Sequence, residues 1–165
     1  DKGKLELKLK ETDINDIILN VINNFSIQIK QKNGLIIPSL HADNPVINID
    51  VVHVTNVLTN LVDNAIKYCT RDPEIYIETQ NFREYLMIAV RDNGIGISKN
   101  DQKRIFDKFY RISTGNIHSV KGFGLGLCYV KTIIEEHKGY IKLESEQYEG
   151  TTFKIFLPLK NNVLN

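Results

Sequence analysis

Three short stretches of this chain combine residue types that could do chemistry. The first is Lys121–Leu127, KGFGLGL, in which Gly122, Gly124 and Gly126 alternate with Phe123, Leu125 and Leu127 just ahead of a helical pattern. Glycine costs helix stability and conformational entropy, so this density implies a close approach to the backbone. A loop entering a helix N-terminus offers free N–H groups and a dipole that favour an anion. The spacing is neither the dinucleotide fingerprint GxGxxG nor the P-loop GxxxxGK[ST], and a tight packing corner is the purely structural reading. The second stretch, RDNGIGIS at residues 91–98, sets Asp92 at the mouth of a turn punctuated by Gly94 and Gly96. A carboxylate beside bare backbone can accept a hydrogen bond from an exocyclic amine, which selects adenine over guanine because the wrong base leaves a buried acceptor unpaired. Turn chemistry alone also accounts for Asp92-Asn93-Gly94. The third stretch is NVLTNLVDNAIKY, residues 56–68. Val57, Leu58, Leu61, Val62, Ala65 and Ile66 form its apolar side, while Asn56, Asn60, Asp63, Asn64 and Lys67 gather opposite at steps of three and four. Asparagine is a poor helix former, so three at four-residue steps conflict with propensity, as functional positions do; otherwise the face is simply polar.

These stretches need elements to position them. Leu5, Leu7 and Leu9 alternate with charged residues and predict a strand. Thr12 or Asp13 can cap a helix whose apolar period runs from Ile14 through Phe25 and Ile29 to Asn33-Gly34. Short extended pieces follow near Leu35–Ile37 and Val46–Ile49, and Asp50 can cap a second helix to about Tyr68. Ile75–Thr79 and Tyr85–Val90 read as paired strands, and Ser98 as the cap of a short helix through Ile105. Ser113–Lys121 is small, polar and patternless. A third long helix is predicted from about Gly124 to Lys138, terminated by Gly139, then strands at Tyr140–Glu144 and Thr152–Leu157. Helices and strands in groups predict a two-layer α/β sandwich with a mixed sheet packed on about three helices.

A chain of 165 residues, 42% hydrophobic and 25% charged, is expected to form one globular domain. A net charge of +1 argues against a nucleic-acid footprint. Cys69 and Cys128 lie outside any CxxC spacing and read as reduced thiols, which suits a reducing cytosol. No apolar run approaches the length of a membrane helix, so no membrane contact is expected. The start at Asp1, without Met, suggests a piece of something longer.

In order and spacing the motifs closely resemble the ATP-binding catalytic domain of bacterial sensor histidine kinases, within the wider gyrase, chaperone and mismatch-repair ATPase superfamily with its Bergerat-type fold. Asn60–Tyr68 resembles the asparagine box, Asp92–Ile97 the first glycine box, Phe106–Arg111 the phenylalanine box and Gly122–Leu127 the second glycine box; Glu149-Gly150-Thr151-Thr152-Phe153 and Leu157-Pro158 fit the closing segment. The resemblance spans residues 1–165 and implies specific roles. Asn64 would coordinate Mg²⁺ against the triphosphate of ATP, with Asn60 one turn earlier. Lys67 would meet phosphate, and Tyr68 would support the nucleotide side of the helix. Asp92 would bind the adenine amine, with Thr151 beside it through water, and Gly94 and Gly96 would admit base and ribose. Gly122, Gly124 and Gly126, with the N–H groups of Leu125 and Leu127, would hold the phosphates. Tyr110 would border the nucleotide, Arg111 would reach the γ-phosphate, and about 112–122 would be the ATP lid.

The implied activity is transfer of the γ-phosphoryl of Mg·ATP to a histidine on a separate dimerisation domain, for relay to a response regulator receiver domain. ATP-hydrolysing relatives carry a glutamate at position 60; asparagine there cannot take a proton, so hydrolysis is expected to be slow. His41, His53, His118 and His137 lack the acidic helical context of a phospho-acceptor and read as structural. The chain is therefore expected to be a monomeric, cytoplasmic domain of a membrane-anchored sensor that binds ATP but has no acceptor of its own. An anti-sigma-type serine kinase, or a nucleotide-sensing module with decayed catalysis, are the alternatives. Phe123 and the Cys128-Tyr129 pair depart from commoner residues without touching an implied ligand contact.

Overall fold

Two aspartates decide where the long helices start. The computed structural model describes residues 4–111 and 126–159. Asp13 caps α1 (Ile14–Asn24), its Oδ1 accepting the Asn15 N–H at 2.9 Å. Asp50 caps α3 (Val51–Lys67), its Oδ1 accepting the His53 N–H at 3.1 Å while Oδ2 accepts from Lys8 at 2.8 Å. Each side-chain oxygen satisfies an amide that the first helical turn would leave unpaired. One carboxylate thereby fixes both the asparagine-bearing helix and the N-terminal segment.

The strand nearest the N-terminus is β1 (Leu9–Asp13), not the predicted Leu5–Leu9 alternation. It pairs antiparallel with β3 (Val46–Asp50), and five partner residues support only five; Leu5 instead packs against the core. The first predicted helix is broken at Phe25, where α1 gives way to α2 (Ser26–Gln31). Val21, Phe25 and Ile29 are all buried, yet in a straight helix each fourth residue drifts by about 40°. The break restores Ile29 to the core.

The main sheet has the order β2 (Leu35–Leu40), β4 (Glu74–Phe82), β5 (Tyr85–Asp92), β7 (Gly150–Pro158) and β6 (Tyr140–Glu146). The β2–β4 pair is parallel and the others antiparallel, so the mixed sheet predicted from sequence is the observed one. Period-two alternation turns Ile75, Ile77, Leu86, Ile88, Val90, Phe153, Ile155 and Leu157 toward the helices, and all are buried. α1, α3 and α5 (Gly126–Glu136) complete the second layer with Ile14, Ile18, Val21, Val57, Leu58, Leu61, Ile133 and Ile134. The short α4 (Lys99–Gln102) is capped by Ser98 as predicted but stops before Ile105, giving way to turns.

Gly139 ends the last helix for a different reason than the pattern suggests. The left-handed residue is Lys138, with φ of 64°. A Cβ on Gly139 would lie 2.1 Å from the Phe156 carbonyl oxygen, so the glycine is there for space. No described helix is long and apolar enough to cross a membrane.

Candidate functional site

A cleft of about 730 Å³, partly open to solvent, lies between the polar face of α3, the loop after β5, the start of α5 and the end of β7. Asn64, Tyr68, Asp92, Gly96, Tyr110, Arg111, Gly126, Leu127 and Thr151 line it, joined by Ile95, Ile97, Ile105 and Phe153. Nine of the residues implied by the motifs therefore meet in one cavity. The sequence assigned no ligand role to the four apolar residues; together they give the cleft a greasy slot suited to a flat ring.

Burial dominates the electrostatics at the slot's closed end. Asp92 is the last residue of β5, and its register partner on β7 is Thr151. Its Oδ1 accepts from Gly94 N–H at 2.8 Å and from Thr151 N–H at 3.2 Å, which leaves Oδ2 for a ligand. Removal from water pushes the carboxyl up to about 6, and those two N–H groups recover only part of that cost. A carboxylate retained against such a penalty, aimed into a cavity, is the signature of an acceptor with a task.

The wall beside it is built to leave no room. Gly96 has φ of +68°, and a Cβ there would fall 2.0 Å from the Glu146 carbonyl oxygen; only glycine meets both demands. Gly94 faces protein: a Cβ on it would lie 2.7 Å from the Tyr68 carbonyl oxygen at the end of α3, and the neighbouring Ile95 N–H bonds that same oxygen at 2.9 Å. Its small size thus sets how closely the asparagine helix approaches the wall.

Along α3, Asn64 reaches the cleft, whereas Asn60 and Lys67 are not among its lining residues. Asn60 turns toward the start of α5, where a Cβ on Gly126 would lie 3.4 Å from its Oδ1. The Lys67 ammonium pairs with Asp63 at 2.7 Å, one turn back on the same helix. Gly122, Gly124, Leu125 and the lid at about 112–122, with His118, lie outside the described residues. Tyr110 donates to Asp101, whose Oδ2 accepts from the Ser98 hydroxyl at 2.9 Å, which ties the approach to Arg111 onto α4.

Asn93 was missed as a positioning residue. Its Oδ1 accepts from Glu74 N–H at 2.8 Å, its Nδ2 donates to the Asp72 carbonyl at 3.0 Å, and its own carbonyl accepts from Arg71 Nε at 3.1 Å. It clamps the loop after α3 to the glycine wall. The Asp-Asn-Gly turn was visible in the sequence, but the partners some twenty residues away were not. His137 is structural: it is 8% exposed, its Nδ1–H donates to the Ile133 carbonyl at 2.8 Å and its Nε2 accepts the Asp50 N–H at 3.0 Å. Burial pushes its pKa down and keeps it neutral in that role. His53 Nδ1 meets the Tyr129 hydroxyl at 2.7 Å, away from the cleft.

Residues 49–161 match the family described as histidine kinase-, DNA gyrase B-, and HSP90-like ATPase. Sensor protein RprX of Bacteroides fragilis (strain YCH46) is 51% identical over 164 residues, which is 98% of this chain and 32% of RprX. Sensor histidine kinase WalK of Bacillus subtilis (strain 168) is 37% identical over 116 residues, 69% of this chain and 19% of WalK. The chain thus spans about a third or less of the length of these relatives. Among solved structures, the nucleotide-free catalytic domain of histidine kinase ThkA superposes with a TM-score of 0.78 at 27% identity, covering 93% of this chain and 97% of that one. ThkA has also been solved in complex with the response regulator protein TrrA, with a TM-score of 0.76 at 24% identity.

Proposed function

Because the chain belongs to the histidine kinase-, DNA gyrase B-, and HSP90-like ATPase family and is an ATP-binding catalytic domain of the sensor histidine kinase type, we propose that its cleft holds Mg·ATP for transfer of the γ-phosphoryl to a histidine on a separate dimerisation and phospho-acceptor domain. The phosphoryl group then passes to a response regulator receiver domain. The carrying observation is Asp92, a half-buried acceptor with one oxygen left over in an apolar slot.

Each residue has a part in this reading. Asp92 Oδ2 accepts from the adenine amine, Thr151 stands beside it, and Ile95, Ile97 and Phe153 sandwich the ring. Gly96 lets the loop turn tightly against the end of β6 so that its backbone forms the cleft wall, and Gly94 lets α3 sit close enough to share the ligand. Tyr68 supports the base side of the helix and Tyr110 the outer rim. Lys67 exchanges Asp63 for phosphate, as a flexible point charge can. Arg111 meets the γ-phosphate, and backbone N–H groups at Gly122, Gly124, Leu125, Gly126 and Leu127 meet phosphate oxygens. No group of three or more His, Cys, Asp or Glu capable of holding a metal exists among the described residues. The donor set fits a Mg²⁺ bound largely by phosphates and water, with the Asn64 amide oxygen as its protein ligand and Asn60 one turn away. The metal, when bound, neutralises phosphate charge; the chain itself orients and desolvates. Asn60 offers no base for water, so hydrolysis is slow.

The domain is cytoplasmic and monomeric in this reading, and the sensor that carries it is anchored in a membrane. Mixing it with a separately produced helical hairpin bearing the acceptor histidine, in the presence of labelled ATP, tests the reaction. Label is expected on the hairpin and none on the domain alone; binding without transfer would reduce the assignment to a nucleotide sensor.

A further inference from the structure

Ser145 lies in none of the motifs, yet it bears on the ring-binding end of the cleft. On β6 the inward positions are Ile141, Leu143 and Ser145, so a hydroxyl stands where the strand pattern calls for an apolar side chain. Its register partner is Thr151, the cleft residue beside Asp92. Three bonds converge on Ser145 Oγ: the Ile97 N–H at 2.8 Å, the Gly150 carbonyl at 2.9 Å and the Thr151 hydroxyl at 2.9 Å.

A serine hydroxyl has one proton and two lone pairs. The Ile97 amide can only donate and the Gly150 carbonyl can only accept. Ser145 therefore gives its proton to Gly150, and the contact with Thr151 runs from threonine to serine. Thr151 has no second proton, so toward the cleft it presents lone pairs alone. Asp92, with its free carboxylate oxygen, does the same.

We infer that Ser145 is a specificity-determining positioning residue. By holding the Thr151 hydroxyl as an acceptor, it makes the groups that face the purine 6-substituent accept only, so that a 6-amino group is taken there and a 6-oxo group is rejected. The inference rests on the nucleotide reading of the cleft and adds to it a residue that touches no ligand. A site whose polar groups are committed in this way rejects the mismatched base by leaving those groups unpaired. Without Ser145 the Thr151 proton is free to turn into the cleft and donate to a 6-oxo group, directly or through water.

Titration calorimetry with magnesium ADP and magnesium IDP tests this. In Ser145→Ala the ADP-to-IDP affinity ratio is expected to fall about tenfold, the size of one neutral hydrogen bond, mainly through tighter IDP binding. Ser145→Thr, which restores a hydroxyl, keeps the ratio of the natural chain. In a Thr151→Val background Ser145→Ala leaves the ratio unchanged. Should Ser145→Ala not fold, Ser145→Cys, with its poorly accepting sulfur, carries the same test. An unchanged ratio in Ser145→Ala, an equal loss of both ligands, or the same fall in the Thr151→Val background would overturn the inference. Failure of the natural chain to bind ADP at all would instead strike the nucleotide reading.

Discussion

Replacing Asp92 with asparagine should make the protein more stable and its nucleotide binding much weaker. The carboxyl ionises near 3.8 when exposed and about 6 in the folded chain. Ionisation therefore opposes folding: the cost is absent below the unfolded value, grows as pH rises between the two, and is complete above about 6. The gap corresponds to about 3 kcal/mol, a figure already net of the Gly94 and Thr151 hydrogen bonds. Asp92→Asn keeps an oxygen for those two N–H groups and removes the charge. At pH 7 the variant should gain up to about 3 kcal/mol, or roughly 6–12 °C in Tm for a domain of this size. At pH 4 the gain should shrink to about 0.5 kcal/mol, because the folded side chain is then almost wholly protonated while the unfolded one, just above its value of 3.8, is a little more than half ionised. Binding moves the other way. An amide NH₂ facing the adenine amine sets donor against donor and forfeits a charged hydrogen bond, so ADP affinity should drop at least about a hundredfold. Thermal melts at pH 4 and 7, with ADP titrations at pH 7, read both effects. A variant that is less stable at pH 7 and binds ADP normally would refute the reasoning, as would a gain in Tm independent of pH.

The same carboxyl makes binding pH-dependent: since the ionised form accepts the amine, ADP affinity should be flat above pH 7 and fall by up to about tenfold per pH unit below 6. Calorimetry in buffers of different ionisation enthalpy should show proton release on binding near pH 6. Gly96→Ala forces a Cβ to 2.0 Å from the Glu146 carbonyl at φ of +68°; a loss of about 2–4 kcal/mol in denaturant titrations, together with weakened ADP binding, is expected. Gly139→Ala has a similar clash with the Phe156 carbonyl but lies outside the cleft, so it should lower stability comparably while ADP affinity in the folded fraction stays the same. Lys67→Ala removes only an exposed intrahelical ion pair, worth less than about 0.5 kcal/mol. Nucleotide affinity should nevertheless fall about tenfold, which equilibrium titration with ADP would detect.

Asp13, Asp50 and Ser98 cap the helices that their types predicted, and the Ile-rich alternation of β4, β5 and β7 gave the sheet. Local chemistry wrote those features, so a local pattern suffices to read them. The break at Phe25, the late start of β1 at Leu9 and the spatial need for Gly139 depend on what lies opposite: the core around Ile29, the five residues of β3 and the carbonyl of Phe156. The site divides in the same way. Asp92, Asn64 and Thr151 were legible as candidates because their motifs are contiguous, and they line one cleft. Asn93 and Ser145 work through partners distant in sequence, at Glu74 and Ile97. Lys67 was assigned to phosphate, and its ammonium pairs with Asp63 one turn back.

The most direct test is a crystal structure with magnesium and a non-hydrolysable ATP analogue. The adenine amine is expected within hydrogen-bonding distance of Asp92 Oδ2, the ring between Ile97 and Phe153, and the metal on the Asn64 amide oxygen. An analogue bound elsewhere, or seated with its phosphates toward Asp92, would contradict that placement.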